Sequence, residues 1–310
     1  MLRRTYLGLE IQQQGLRAVT IQRQGKKIAL VGGQALELGK NILQPEFKQA
    51  NISQPELFVD AVKQLLNPLT KRENRIAVAL PDHCGQLFLL DLETPFKNRS
   101  EGAEIIRWQL KELLPDKSRD MALDFQVIQE QESGQKRILA AVINREVLSQ
   151  YETLLEQAGY AAAVVDFHAL ALYNAYRNKM ELGRDFILIG VDGCQLSLMI
   201  FVNQTLNFCR LRQIKPEPRQ IFQEISRSLV NYRSEQPSFD RLAVHLHSDW
   251  QNRDDLFVAV DSVFDQDVQW LVSPVSKLMN GHQLNFTGAE ASGMAAALGV
   301  AERMMQRVTS

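Results

Sequence analysis

Residues 185–213 read DFILIGVDGCQLSLMIFVNQTLNFCRLRQ and contain three apolar runs. One apolar run ends in Asp192-Gly193, and a second apolar run follows it directly. A turn at Asn203-Gln204 then leads into a third run. Short apolar runs separated by acidic, glycine and asparagine residues are typical of consecutive strands joined by tight turns. The stretch therefore predicts a β-meander of three strands.

The same pattern opens the chain. Residues 6–11 predict one strand, residues 15–21 a second, and residues 28–31 a third. The segments Gly8-Leu9-Glu10 and Gly190-Val191-Asp192 align 182 residues apart, so each copy carries a carboxylate at a strand end. A meander that is repeated halfway along the chain predicts a duplicated α/β fold. Such folds bind ligands in a cleft at the carboxyl ends of strands.

Composition indicates a globular protein with a sizeable core. The 310 residues are 45% hydrophobic and 23% charged, and the formal net charge is −1. This charge indicates neither a nucleic-acid partner nor an acidic lipid surface. The three cysteines lack a C-x-x-C spacing, as free thiols in a reducing compartment would. Since no segment approaches the roughly 20 apolar residues of a membrane span, we expect a cytoplasmic protein that reaches a membrane only through a partner.

Residues 82–158 break the main pattern and predict an inserted α+β subdomain. Pro115 is expected to end its first helix, and Ser133-Gly134 to form a hairpin turn. The β-α-β-β-α order predicts helices on one face of a small antiparallel sheet. The predicted elements are strand 86–92, helix 98–114, strands 122–129 and 135–143, and helix 145–158.

These observations divide the chain into three units. Residues 1–81 and 159–182 are predicted to form a first lobe, residues 82–158 the inserted subdomain, and residues 183–310 a second lobe. After residue 185 the predicted order is β-β-β-α-β-α-β-α, which is the order that one half of an actin-type fold requires.

The inserted segment resembles the PilM family of type IV pilus assembly proteins. That family has a helix with the pattern I-x-W-E-x-x-x-x-x-P, followed by a strand with the pattern D-[YF]-x-V. This chain matches those patterns with Ile106, Trp108, Pro115, Asp124, Phe125 and Val127, and departs from them at Gln109. The divergent sequence and the short chain are most similar to the MshI branch, which serves biogenesis of the mannose-sensitive haemagglutinin (MSHA) pilus.

The resemblance implies an actin-like (ASKHA, ribonuclease H-like) fold of two duplicated lobes with an inserted subdomain. Family members bind ATP between the lobes and grip the cytoplasmic N-terminal peptide of a single-span, PilN-like inner-membrane protein. They thereby couple the membrane platform to the pilus assembly ATPase complex. The implied function is a cytoplasmic scaffold that is peripheral to the inner membrane, and not an enzyme.

The resemblance also implies where the partner binds. The family's peptide groove lies between the first lobe and the subdomain, which makes Ile105, Trp108 and Leu110 candidate partner-binding residues. Such grooves combine backbone pairing with a few side-chain pockets. A position of Trp108 in the core of the small subdomain is the alternative.

Six residues are candidates for the nucleotide cleft that the resemblance implies. The family pattern is close to D-x-G-x-x-x-[IV]-K, in which the turn supplies N–H groups to phosphates and the acid holds Mg²⁺ through water. In this chain glutamate replaces the aspartate, glutamine the glycine and arginine the lysine. The candidates are Glu10, Gln12, Gly15 and Arg17 in the first loop, and Asp192 and Gly193 in the second.

A third loop also departs from the family. Where members carry a glycine-rich adenosine-binding turn, this chain has residues 245–250, HLHSDW. Departures at three loops predict weak or absent nucleotide binding, so we expect no cofactor, with Mg-ATP as the alternative. Glu10 and Asp192 are then open to a second interpretation, as solvated acids at strand ends.

Four other functions stay open at this point. An ATP-binding switch would control partner binding by its nucleotide state, and a small-molecule kinase of the same superfold would need an intact phosphate loop. A filament former would self-associate. His245, His247 and Asp249 are spaced as metal ligands could be, but without further ligands we expect no metal site. No G-x-S-x-G, H-E-x-x-H or G-x-x-x-x-G-K-[ST] motif is present.

Overall fold

In the computed structural model, the described residues form three β-sheets and the helices that pack on them. Pro115 and Ser133, predicted to end a helix and to form part of a turn, lie outside the described residues. The structure describes residues 4–25, 27–70, 73–114, 120–131, 134–180, 184–236, 238–279 and 286–307.

The first sheet combines the opening meander with two later strands. Its members are β1 (Thr5–Gln12), β2 (Gly15–Gln24), β3 (Lys27–Glu37), β4 (Arg75–Leu80) and β8 (Ala161–Phe167). The strand order is β3-β2-β1-β4-β8. The meander is antiparallel, whereas β1, β4 and β8 run parallel. The edge strands of this sheet are therefore β3 and β8.

The second sheet repeats this arrangement. Its members are β9 (Phe186–Asp192), β10 (Gln195–Val202), β11 (Thr205–Gln213), β12 (Ala243–Ser248) and β13 (Val268–Trp270). The order β11-β10-β9-β12-β13 matches the first sheet strand for strand, and so do the directions of the strands. Both predicted meanders are present, and each supplies three strands of a five-stranded sheet.

Side chains alternate across β1 and β9 and so divide each sheet into an outer and an inner face. On the outer face of the first sheet, Leu7 and Leu9 pack against α1 (Pro55–Leu66). On the outer face of the second sheet, Ile187 and Ile189 pack in one apolar core with two helices. These are α5 (Pro218–Glu235) and α6 (Arg253–Asp261).

Two helices fill the space between the inner faces. They are α4 (His168–Met180) and α9 (Ala295–Arg307). Helix α4 packs on the second sheet, and α9 packs on the first sheet. Each helix therefore contacts the sheet formed mainly by the other half of the chain. Small residues permit the close approach of these layers. A Cβ at Gly8 would lie 2.0 Å from the Ala297 carbonyl oxygen, and one at Gly190 would lie 2.6 Å from the Leu172 side chain.

The third sheet is small and antiparallel, and its three strands lie in the order first, third, second of the sequence. Its strands are β5 (Gly85–Leu92), β6 (Met121–Glu130) and β7 (Lys136–Asn144), and the segment also contains α2 (Arg99–Leu113) and α3 (Arg145–Gln157). The prediction of both helices on one face is wrong. Helix α2 covers one face, while Tyr151 and Leu155 of α3 join the core of the first lobe. Both faces of the small sheet are apolar, so each needs its own cover.

The remaining helices are short, and they are α7 (Pro274–Leu278) and α8 (Gly288–Gly293). The predicted boundaries, with residues 1–81 and 159–182, 82–158 and 183–310 as units, stay a prediction. The strands of each range share one sheet, whereas α4 and α9 each pack across to the sheet of another range.

Candidate functional site

Two acids, one from each meander, meet between the lobes. Glu10 of β1 and Asp192 of β9 project from the inner faces of their sheets, two residues beyond Gly8 and Gly190. His168, the first residue of α4, lies between the two carboxylates. Its Nδ1 atom is 3.0 Å from Glu10 Oε1, and its Nε2 atom is 2.8 Å from Asp192 Oδ2. Both acids are buried, so neither is a solvated strand end.

A second histidine shares Asp192. The Nε2 atom of His247, on β12, lies 3.0 Å from Asp192 Oδ1. Its Nδ1 atom lies 2.8 Å from the hydroxyl of Tyr176 on α4. The backbone N–H of Asp249 also donates to Asp192 Oδ1, at 3.1 Å. Asp192 is thus a buried carboxylate with hydrogen bonds at both oxygens, as a buried charge requires.

Charge balance favours an imidazolium at His168. The amide nitrogen of Gln12 lies 2.8 Å from His168 Nδ1 and 3.0 Å from Glu10 Oε1. If the ring were neutral, its Nδ1 atom would accept a hydrogen bond from the Gln12 amide. An imidazolium instead donates to Glu10, and it offsets part of the negative charge in this buried cluster. Burial alone would lower the pKa of His168, but the hydrogen bonds to Asp192 and Glu10 raise it well above its ordinary value. Burial would also raise the pKa of Asp192, yet the neighbouring histidines lower it.

Arg17 connects the first sheet to the loop after β12. It lies opposite Glu10 on the neighbouring strand, and its Nη1 atom is 3.6 Å from Glu10 Oε1. Its Nη2 atom donates to Asp249 Oδ2 at 2.6 Å, and Nη1 donates to the Gly293 carbonyl at 3.2 Å. A Cβ at Gly293 would lie 2.8 Å from the guanidinium carbon. Glycine at this position therefore provides the space that the arginine occupies.

A chain of amides joins the lobes beside the acids. The backbone N–H of Asp82 donates to Gln195 Oε1 at 2.9 Å, and the Gln195 amide in turn donates to Gln12 Oε1. Because a backbone N–H can only donate, these bonds fix the orientation of both amides and aim the Gln12 N–H at Glu10. Asp82 is itself buried, and burial raises the pKa of its carboxyl to about 6.

The turn after β9 is fixed by the loop that follows β12. Gly193 adopts a positive φ of 54°, a conformation that glycine reaches without strain. Its N–H donates to Asp249 Oδ1 at 2.9 Å, and its carbonyl accepts from Trp250 Nε1 at 3.0 Å. Burial and the nearby Asp192 raise the pKa of Asp249, while Arg17 opposes that rise. The N–H that this turn could offer to an anion is therefore already used.

The structure brings five of the six nucleotide-cleft candidates together: Glu10, Gln12, Arg17, Asp192 and Gly193. The sixth, Gly15, starts β2 and packs against the backbone of Leu36 instead. The sequence interpretation missed His168, Gln195 and Asp82. Their partners lie on distant segments, and only the fixed positions of the two strand-end acids could have indicated a bridging group.

The predicted histidine spacing does not form a joint site. His247 and Asp249 belong to the cluster around Asp192, whereas His245 Nδ1 has no hydrogen-bond partner among the described residues. Burial and Lys179 lower the pKa of His245. Within the described ranges, no group of three or more His, Cys, Asp or Glu side chains is arranged to hold a metal ion.

A groove of about 840 Å³ lies between the small sheet and the two lobes. Two edge strands line it, β6 of the small sheet and β8 of the first sheet. Further lining residues come from β7, from helices α3 and α4, from the end of α9 and from the β10–β11 hairpin. Edge strands carry backbone N–H and C=O groups without strand partners. All three units of the chain therefore contribute to one groove.

The groove is apolar with charged side chains around it. Its apolar lining includes Val127, Leu139, Tyr173, Phe201 and Leu206. Arg99 pairs with Asp124 on β6, and Arg303 pairs with the buried Asp166 on β8.

The three predicted partner-binding residues lie on α2, outside this lining. Leu110 is 3% exposed in the core of the small sheet, and Ile105 packs against that core. Trp108 is 66% exposed. The tryptophan is therefore a surface residue and not part of the subdomain core, and the partner role of all three stays a prediction.

No family model matches the chain, and no curated protein matches it by sequence. Solved structures do match it. A protein with an actin-like ATPase fold from Bacteroides thetaiotaomicron superposes with a TM-score of 0.56 at 12% identity, over 87% of this chain and 91% of that chain. The fold is actin-like. The predicted fold class, a duplicated two-lobed α/β fold, is therefore confirmed.

Two further structures share the fold. A PilM–PilN type IV pilus biogenesis complex superposes with a TM-score of 0.81 at 17% identity, over 97% of this chain and 99% of that chain. The cytoplasmic domain of EpsL, an inner-membrane component of the type II secretion system of Vibrio cholerae, gives a TM-score of 0.51 at 10% identity, over 99% of this chain and 96% of that chain. Across the described part of this chain, no helix has the length and apolarity needed to cross a bilayer.

Proposed function

We propose that the protein is a scaffold in a type IV pilus assembly complex, where it binds the cytoplasmic N-terminal segment of a PilN-like single-span membrane protein. The observation that carries this proposal is the superposition on the PilM–PilN complex, with a TM-score of 0.81 over 97% of this chain. The motif residues Ile106, Trp108, Asp124, Phe125 and Val127 support it independently, because they match that family's pattern in sequence.

The proposal places the protein on the cytoplasmic side of the inner membrane, held there by its partner. The likeness to the cytoplasmic domain of EpsL, an inner-membrane component of the type II secretion system, is consistent with this location. The MshI-like features of the sequence favour the MSHA pilus as the system, with the pilus assembly ATPase complex as a second contact. We propose no nucleic-acid partner and no enzymatic activity.

The groove between β6 and β8 is the proposed partner site. An extended segment that enters it would find the unpaired edge of β6 on one side and that of β8 on the other. Strand addition supplies backbone hydrogen bonds, and pockets for alternate side chains supply specificity. Leu139, Phe201 and Leu206 offer apolar surface to such side chains, so the occupant is an extended peptide with apolar residues.

The cleft between the lobes does not fit a nucleotide, and we propose that none is bound. A triphosphate needs backbone N–H donors and compensating cations, but here the Gly193 N–H donates to Asp249 and the Arg17 guanidinium is held by Asp249 and Gly293. Three carboxylates, those of Glu10, Asp192 and Asp249, face the same space and would repel phosphate oxygens.

Peptide binding tests the proposed function. A fluorescent peptide is made from the cytoplasmic N-terminal segment of a PilN-like single-span protein, and its binding is measured by anisotropy. Val127 lines the groove and is 37% exposed, so Val127→Arg should fold normally. We expect it to weaken binding at least about tenfold, which is about 1.4 kcal/mol.

Val258→Arg is the matched control. Val258 is 66% exposed on α6 and does not line the groove, so the same chemical change there should leave the affinity unchanged. Equal affinities for the wild type and both variants would contradict the groove as the site. Absence of binding to the wild-type chain would contradict the proposed function itself.

A further inference from the structure

The contacts around His168 and Arg17 connect the two lobes directly. His168 joins Glu10 of the first sheet to Asp192 of the second, at 3.0 and 2.8 Å. Arg17 joins the first sheet to Asp249, beyond the end of β12, at 2.6 Å. We call the seven side chains concerned the inter-lobe clasp, and they are Glu10, Gln12, Arg17, His168, Asp192, Gln195 and Asp249.

The clasp places the side chains of His168 and Arg17 between carboxylates of the two lobes. Glu10 belongs to the first lobe, and Asp192 and Asp249 belong to the second. Without a cation between them, Glu10 and Asp192 would repel across a buried space of low dielectric. The imidazole of His168 is almost completely buried and has a carboxylate oxygen at each ring nitrogen. It therefore supplies from within the chain the bridging positive group that the two strand-end acids need.

We propose that this clasp, and not a nucleotide, keeps the cleft between the two lobes closed, with His168 as the built-in bridging group. The chain consequently has one closed arrangement of its lobes in the absence of any ligand, and Mg-ATP does not change it. This inference concerns the cleft and the lobes, and it is independent of which partner the groove binds.

The closed arrangement also forms the groove. Phe201 and Leu206 come from the second lobe, Val165 from the first lobe and Val127 from the small sheet, and all four line the same groove. A change in the angle between the lobes would separate these walls. If the proposed function is correct, the partner site is therefore preformed and its affinity does not depend on nucleotide.

Distance measurements between spin labels on the full-length chain test the clasp. Asp60 on α1 and Asn231 on α5 are exposed and lie on the outer faces of the two lobes, so both can be replaced by cysteine and labelled. Cys194→Ser and Cys209→Ser remove the two thiols that are not fully buried. We expect one narrow distance distribution that excess Mg-ATP leaves unchanged. A shift or a narrowing on addition of Mg-ATP would overturn the proposal.

Substitution of His168 gives the second readout. His168→Leu keeps the approximate volume but removes both bridging contacts, so we expect a longer and broader distance distribution. His245→Leu is the matched control, because His245 lies on β12 and contacts neither Glu10 nor Asp192. This variant should retain the narrow wild-type distribution.

Arg17→Met provides a separate variant if His168→Leu does not fold. It removes the contact to Asp249. Because the Arg17 side chain is 27% exposed, its replacement should leave a smaller cavity than the replacement of the buried His168 side chain. We expect the same broadening of the distances. Unchanged distances in every folded clasp variant would overturn the proposal, whether or not the peptide binds.

Discussion

A Cβ added at Gly299 would lie 1.8 Å from the carbonyl oxygen of Ala171. Helices α9 and α4 therefore pack backbone against backbone at this point, in the layer between the two sheets. The contact involves main-chain atoms of Ala171, so no side-chain rotation can relieve a larger residue at position 299. The spacing between the inner faces of the lobes depends on this glycine.

Gly299→Ala should destabilise the protein by about 2–3 kcal/mol, because the added methyl group forces the two helices apart. Thermal or denaturant unfolding measures this loss. Gly288→Ala is the control, since the nearest atom to its added Cβ is the end of the Arg253 side chain at 4.0 Å, and its stability should equal or exceed that of the wild type. Equal stability of the Gly299→Ala variant would contradict the close packing of α4 and α9.

Truncation of two nearby residues of α2 should change the stability of the protein by very different amounts. Leu110→Ala leaves a cavity in the core of the small sheet and should cost about 2–4 kcal/mol. Trp108→Ala removes a side chain that is mostly in water and should change stability by less than about 0.5 kcal/mol. Denaturant unfolding compares the variants. Peptide anisotropy on Trp108→Ala then tests its predicted partner role, and a large loss of stability in this variant would contradict its exposed position.

Stability should decrease with rising pH because of Glu302. This residue is 7% exposed on α9, and burial raises the pKa of its carboxyl to about 7, against the opposing effect of Arg177. A carboxyl whose folded pKa lies above its unfolded value destabilises the fold progressively as the pH rises from the unfolded to the folded pKa. At about pH 8, Glu302→Gln should therefore be more stable than the wild type by up to about 3 kcal/mol.

At about pH 4.5 the carboxyl is protonated largely in the folded state and partly in the unfolded state, so the difference from Glu302→Gln should nearly vanish. Denaturant midpoints at several pH values measure the difference. Glu104→Gln is the control, because Glu104 is exposed on α2 and meets water in both states. A stability gain in Glu302→Gln that is the same at every pH would contradict the assignment.

The ion pair of Asp166 and Arg303 joins β8 to α9 beside the groove. Arg303→Met leaves the Asp166 carboxylate buried with the Phe167 N–H and the more distant Arg307 as its compensating groups, and should cost about 2–3 kcal/mol. The double variant with Asp166→Asn should recover most of this loss, since it removes the buried charge as well. A double-mutant cycle of unfolding free energies tests the coupling, and additive losses would show that the pair does not interact.

The repeated meanders were predictable because their signal is local. Gly8-Leu9-Glu10 and Gly190-Val191-Asp192 lie within apolar runs that are bounded by turn residues. These patterns can be recognised in the local sequence, without knowledge of which strands pair. The two glycines repeat for a physical reason, since each lets a helix approach the inner face of its sheet. The inserted sheet was predictable for the same reason, whereas the separation of α2 and α3 onto opposite faces was not, because both faces carry apolar side chains.

The clasp could be predicted only in part. Glu10 and Asp192 can be identified from their strand ends, but nothing in the sequence around His168 indicates that it bridges them. Arg17 meets Asp249 across 232 residues of chain, and no local pattern reports such a contact. The sheet on which α9 packs could not be predicted either. The helix is buried on nearly every side, so its sequence does not indicate which face contacts which sheet.

The exchange of α4 and α9 between the lobes has a consequence for any attempt to divide the protein. A fragment that ends after α4 would lack α9, the helix that covers its own inner face, and the complementary fragment would lack α4 in the same way. Neither piece is an autonomous folding unit, although the two would be expected to reassemble when mixed. Although the two halves repeat the same sheet, each half depends on a helix of the other half to cover its inner face.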